Sequence, residues 1–385
     1  MIEKALRGDG RYWAWVAALL AVMAVGGACY LRQLNEGLTI TGLSRDVTWG
    51  FYIAQFTFLV GVAASAVMVV LPYYLHDFKA FGPVTVLGEF LAVSAVTMCM
   101  LFILVDLGQP GRAFNLILHP APRSILFWDT IVLGGYLVIN VLITRVGLSA
   151  ERQGTAPPAW IKPVIYLSIP WAVSIHTVTA FIYSGLAARP FWLTAVLAPR
   201  FLASAFASGP ALLILLCLLL ARVSRFRAGD EAIRKLAVIV TYALIANAFF
   251  MLMEVFTAFY SGIPEQEAHM RYLFLGLQGH EGLAPLMWTA EVLAAGALTV
   301  LLVPGLKRRQ ALLAAACSAV VVSVWIEKGV GMIVTGFVPT PFGRVASYTP
   351  TAPEMLIALS VYAFGALLVT GFYKVALSVR GEGLS

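Results

Sequence analysis

Charge is what this sequence has least of. Asp, Glu, Lys and Arg make up 12% of its 385 residues, roughly half the share usual in a soluble domain. No long polar stretch interrupts the apolar runs between Tyr12 and Tyr373. Water cannot solvate most of such a surface, so a chain of soluble domains is excluded. Cysteine is scarce too. Cys29, Cys99, Cys217 and Cys317 each stand alone in a different apolar run with no CxxC pair, and no iron–sulfur ligand set can be drawn from them. Only His176 lies inside an apolar run; His76, His119, His269 and His280 fall in or near connections. A bis-histidine haem needs two buried histidines on facing helices, so no haem, cluster or metal is expected. The formal charge of +7 could suggest nucleic acid, but the basic residues cluster between apolar runs, at 222–235 and 307–309. They read as topology signals, and no nucleic-acid partner is expected.

What is abundant is apolar length. A hydrocarbon core about 30 Å thick takes roughly 20 residues of helix. Ten runs qualify: 13–31, 50–75, 83–106, 125–147, 162–187, 200–223, 234–258, 285–304, 311–337 and 352–374. The first follows Lys4, Arg7 and Arg11 and is too long for a cleaved signal core, so it is expected to stay as a helix. The expected fold is all-α, one integral membrane domain over residues 1–385. Segments 50–187 and 200–337 could each make a four-helix bundle, leaving 13–31 and 352–374 peripheral. Small residues four apart, Gly61 with Ser65 and Ala203 with Ala207, suit close helix packing.

Lys and Arg divide unevenly between the two sides. The N-terminus, even-numbered connections and C-terminus hold 17, the odd-numbered connections hold 8, and Lys328 lies within the ninth run. The positive-inside rule then puts both termini in the cytoplasm. In a bacterium the longer odd connections would face the periplasm, with turn formers such as Gly108-Gln109-Pro110-Gly111 folding them over the helix ends.

Ionisable groups inside membrane helices are costly and are usually kept for a partner or a role. They are Glu89, Asp106, Asp129, His176, Glu254, Glu291, Glu327 and Lys328. All but Glu89 fall at mid-membrane or in the outer half. In the fifth run His176, Thr179 and Tyr183 stack on one helix face. They could hydrogen-bond a quinone carbonyl and relay its protons, or hydrogen-bond between helices. Glu327 and Lys328 point about 100° apart, so Lys328 is expected to pair with a carboxylate of another helix. Asp106 could cap the following turn or pair with Arg112.

The block from Asp106-Leu107-Gly108-Gln109-Pro110-Gly111-Arg112, through His119, to Ser124 and Trp128-Asp129 resembles the NrfD/PsrC family, quinone-interacting membrane subunits of polysulfide-reductase-type complexes. The fifth-run stretch Ser174 to Tyr183 and Arg189-Pro190-Phe191-Trp192 resemble its ten-helix branch of DsrP and HmcC type. Where the commoner pattern has Arg and Ser-Pro, this chain has Gln109 and Ser124-Ile125. The resemblance implies two consecutive four-helix bundles, no bound metal or haem, and a quinone pocket near the periplasmic face of the first bundle. Electrons would pass to or from a docked iron–sulfur subunit.

The expected function is accordingly a quinone-interacting membrane subunit of a respiratory or sulfur-metabolism oxidoreductase complex in the bacterial inner membrane. Menaquinone or ubiquinone would be an exchangeable substrate. The partners would be a periplasmic ferredoxin-like iron–sulfur subunit, further cytochrome and membrane subunits, and the lipid bilayer. Asp106, Arg112, His119, Trp128, Asp129, His176, Thr179 and Tyr183 are the expected quinone-site residues, and Glu89, Glu254, Glu291, Glu327 and Lys328 the proton-handling ones. A quinone needs an apolar cavity with hydrogen-bonding and acid–base groups, which these supply. The competing classes are a secondary transporter, whose sites usually sit at the midplane between repeats on broken helices, and a structural membrane anchor.

Overall fold

The computed structural model of the chain describes residues 8–63 and 65–380; Lys4 and Arg7 lie outside the described residues. Among the described residues, ten helices are long and apolar enough to cross a membrane: α1 (Gly10–Ile40), α2 (Phe51–Leu75), α3 (Lys79–Asp106), α4 (Ile125–Gln153), α5 (Ile161–Ser184), α6 (Leu197–Val223), α7 (Asp230–Ser261), α8 (Ala284–Leu302), α9 (Gln310–Thr335) and α10 (Ala352–Val379). Among the described residues no strand forms. A backbone amide in hydrocarbon has no water to bond, so each span satisfies its amides within its own helix. The chain is an all-α, multi-pass integral membrane protein.

Several helices outrun the limits read from hydropathy, because a helix continues after its charged side chains have reached water. α4 runs on to Gln153 and stops at Gly154, whose φ of +63° suits glycine and whose N–H bonds the Ala150 and Glu151 carbonyls. At the other end of the chain, the Asp9 carboxylate accepts from Tyr12 N at 2.9 Å and caps α1.

One expectation needs correction: α6 begins at Leu197, so Arg200, counted among the basic residues of the odd-numbered connections, belongs to its first turn. The stretch 260–284 contains a further short helix, Pro264–Phe274, with Pro at its start and Glu265 and Glu267 in its first turn, where a helix start favours them.

α2 is the hub. Nearly every residue of its first half, Phe51–Ala63, is buried, and it packs against α3, α5, α6 and α9. The other main contacts join α3 to α4, α4 to α5, α6 to α7 and to α9, and α8 to α9; α1 and α10 lie together, with α10 against α3. Small residues allow the α2–α6 approach: a side chain on Gly209 would come within 3.1 Å of Ser65 N and 3.4 Å of Gly61 O. α9 carries a π-helical segment, Trp325–Gly331, a local widening often found at functional sites.

The α1–α2 and α9–α10 connections are pinned to one another at Glu354, in the first turn of α10. Its buried carboxylate accepts from Gly42 N at 3.0 Å, from Thr351 N at 3.3 Å, and from the Tyr348 hydroxyl. Tyr348 in turn accepts from Phe51 N at 2.6 Å. Burial and the neighbouring Glu354 hold the Tyr348 phenol well above its ordinary pKa.

Candidate functional site

α4 and α5 pack side by side, which brings Asp129 and Thr179 together. The Thr179 hydroxyl donates to Asp129 Oδ1 at 2.8 Å, with both residues buried. One turn along α5, the Tyr183 hydroxyl meets Thr57 Oγ1 of α2 at 2.5 Å. Thr57 already donates its own hydrogen to Ile53 O at 2.8 Å, so Tyr183 is the donor. One turn the other way stands His176. It is completely buried, and neither ring nitrogen has a hydrogen-bond partner among the described residues. A buried polar group left unmatched costs about 1–3 kcal/mol, and such exceptions in an otherwise satisfied interior point to a missing partner.

Tyr183 is held under an aromatic cap at the C-terminal end of α5. Its ring lies 5.2 Å from that of Trp192, which stacks on Trp49 at 6.0 Å and meets Phe337 edge-on at 5.1 Å. Trp192 is fully buried and its indole N–H donates to Met332 O at 3.0 Å. This seat exists because residue 336 is glycine; a side chain there would come within 1.9 Å of the Trp192 ring.

The remaining expected members of the first set make no hydrogen bond to this cluster among the described residues. Asp106 ends the third helix with Oδ1 buried and unpartnered; neither the expected cap nor an Arg112 pair forms among the described residues. Arg112 is exposed on the turn Pro110–Phe114, and His119 is exposed just beyond it. Trp128 is 46% exposed, its indole N–H donating to Pro122 O at 2.8 Å. These three are exposed at the surface.

A second buried cluster is built around a residue that the sequence reading omitted. Arg200 of α6 donates to Glu327 Oε1 through Nε at 3.2 Å and Nη2 at 2.7 Å, and pairs through Nη1 with Glu254 of α7. Asn247 Nδ2 donates to the other Glu327 oxygen at 2.9 Å. The signal that could have found Arg200 is the sixth apolar run itself, which begins at that residue. Lys328 corrects a further expectation: among the described residues it pairs with no carboxylate. Its Nζ donates to Phe201 O at 3.2 Å and lies 4.2 Å from the Phe201 ring centre. Gly61 leaves it room, since a side chain there would come within 3.3 Å of Nζ.

Glu254 also lines a cavity of about 170 Å³ near the C-terminal end of α7, with Phe191, Thr194, Met253 and Gln266. Glu291 is half-buried on α8. Glu89 is buried on α3 and accepts from the Thr144 hydroxyl at 3.2 Å, far along the chain from either cluster. Outside the spans, buried His269 has Nδ1 2.8 Å from Thr335 O and 2.9 Å from Val338 O. Both partners are acceptors, so that nitrogen carries the proton, and burial holds the imidazole pKa below its ordinary value.

Residues 39–338 match the family model described as polysulphide reductase, NrfD. Among known proteins, the chain is 27% identical to a Halobacterium salinarum protein provisionally named as a membrane subunit of dimethyl sulfoxide reductase, over 94% of this chain and 89% of the relative. It is 26% identical to the Hdr-like menaquinol oxidoreductase integral membrane subunit of Archaeoglobus fulgidus, over 71% and 67% of the two chains. It is 21% identical to the menaquinone reductase integral membrane subunit of Nitratidesulfovibrio vulgaris, over 94% and 91%. With a family match spanning most of its length, from the last residues of α1 to just past the end of α9, the chain belongs to the NrfD family.

Proposed function

We propose that this chain is the quinone-reactive integral membrane subunit of a multi-subunit oxidoreductase, exchanging electrons between the membrane quinone pool and an iron–sulfur subunit docked on its outer face. Two relatives named for menaquinol and menaquinone chemistry support the substrate class. The observation that carries the reading is His176, buried beside Thr179 and Tyr183 with both ring nitrogens idle. A quinone presents two carbonyl acceptors on an apolar ring, and its reduced form presents two hydroxyl donors. An imidazole with one N–H and one bare nitrogen can serve either form.

On this reading α2 to α5 and α6 to α9 form two four-helix bundles, and the first holds the site. His176 and Tyr183 orient the head group. Asp129, held by Thr179, exchanges a proton with it, and Asp106 at the end of α3 connects the site to the outer water. Arg112, His119 and Trp128 form the lip where the partner docks. Oxidising a quinol releases two electrons and two protons. The electrons leave through the partner's cluster, and the protons leave at the outer face or enter the group formed by Arg200, Glu254, Glu291, Glu327 and Lys328, with Glu89 a buried acid in the inner half of α3. Both termini lie in the cytoplasm of a bacterial cell.

The test is quinol turnover by the purified complex carrying Asp129→Asn, Thr179→Val or His176→Ala, with full assembly of the complex verified in each. Loss of a positioned acid–base group is expected to lower turnover by about 10² or more with the complex intact. Wild-type turnover in all three would overturn the assignment.

A further inference from the structure

The inner ends of α3, α4 and α10 enclose a second cavity, well away from both buried clusters. It has a volume of about 350 Å³ and walls that are almost wholly apolar, contributed by Phe90, Val141, Leu148, Leu367 and Phe372 among others. Phe90 and Phe372 stack with ring centres 4.7 Å apart and planes within 10°, which makes one wall stiff. Gly371 also lines the cleft, and a side chain built there would meet nothing within 4 Å. The space is therefore open at the backbone of α10. From Val141 to Leu148 the lining of α4 covers two helical turns, about 10 Å of cleft length.

The one charge at this cleft is Arg145. It is exposed, and among the described residues no carboxylate pairs with it. Its level in the bilayer follows from counting: α4 begins at Ile125, and 20 residues of helix rise about 30 Å, the thickness of the hydrocarbon core. Arg145 thus stands where hydrocarbon gives way to head groups, and the apolar walls reach from it toward the membrane interior. A guanidinium there needs an anion, and the only anions at that depth that also fill an apolar groove are lipid head groups.

We propose that the cleft is a site for one anionic phospholipid, its acyl chain against Phe90, Val141 and Leu367 and its phosphate on Arg145. The bound lipid covers Thr144, which lines the cleft and whose hydroxyl donates to Glu89 at 3.2 Å. It therefore closes the side of Glu89 that faces the inner leaflet. A quinone would find the same apolar walls, but its neutral head group would leave Arg145 without a counter-charge.

The test counts lipids retained by the full-length chain in native mass spectrometry, after reconstitution in mixed phosphatidylglycerol and phosphatidylcholine nanodiscs. The wild type is expected to keep one phosphatidylglycerol in preference to phosphatidylcholine by about fivefold, the share of one basic residue at a membrane surface. Arg145→Gln is expected to abolish the preference while the lipid is still retained. Gly371→Leu, or Val141→Trp from the opposite wall, is expected to lose the lipid itself. The control is Arg308→Gln, an exposed arginine outside the cleft, which is expected to match the wild type. Absence of any preference in the wild type, an equal loss in Arg308→Gln, or a quinone recovered in place of the phospholipid would each overturn the proposal.

Discussion

Arg200 Nη2 donates to Glu327 Oε1 at 2.7 Å, joining α6 to the π-helical segment of α9 inside the membrane. The same guanidinium holds Glu254 of α7, so one cation balances two acids from two other helices. Taking away one member of a buried ionic group leaves charge with no counter-charge, a cost of about 3–5 kcal/mol, whereas replacing the whole group with neutral residues is often tolerated. Arg200→Leu is therefore expected to lower the unfolding temperature of the detergent-purified chain sharply. Adding Glu254→Gln and Glu327→Gln is expected to recover most of the loss. An Arg200→Leu chain as stable as the wild type would show that the cluster does not hold the helices together.

His269 gives the protein an acid-sensitive joint outside the spans. Its pKa is lowered by burial from the ordinary 6.5. Below that value the unfolded chain takes up a proton at this residue and the folded chain does not, so stability falls as pH drops from 6.5 toward the folded value. Above 6.5 the contribution is complete and constant. Each unit of lowering corresponds to about 1.4 kcal/mol at the acid end of that window. His269→Gln keeps an N–H donor for Thr335 O and Val338 O but does not titrate. Its unfolding free energy, followed against pH, is expected to fall less steeply below 6.5 than that of the wild type. Identical slopes would remove His269 as a source of acid sensitivity.

The orientation is tested with a reporter that is active only in the periplasm. Fused after Pro120, between α3 and α4, it is expected to be active; fused after Arg227, between α6 and α7, it is expected to be silent. The expectation rests on 17 basic residues on one side. With Arg200 taken into α6, the other side holds seven. The reverse pattern would overturn the orientation and move the proposed partner to the opposite face.

Much of the fold is legible from hydropathy, because a membrane span must be a helix about as long as the bilayer is thick, whatever it packs against. Ten runs became ten helices for that reason, with their order and approximate limits. The family was legible too, in the block from Asp106 to Asp129. The helix-five face was legible as a row of polar residues, since His176, Thr179 and Tyr183 follow the helical repeat.

Which of those residues are matched was not legible, since hydrogen-bond partners come from other helices. Thr179 finds Asp129 and Tyr183 finds Thr57, while His176 finds neither. Nor could the sequence choose between Arg200 and Lys328 as the counter-ion of Glu327. In one dimension Lys328 is adjacent and Arg200 is 127 residues away; the packing of α6 against α9 reverses that order. Composition and periodicity determined that the chain spans the membrane and which side chains are costly to bury there. Only the tertiary structure decided how each cost is met, because burial makes a polar group demand a partner but does not say which helix supplies it.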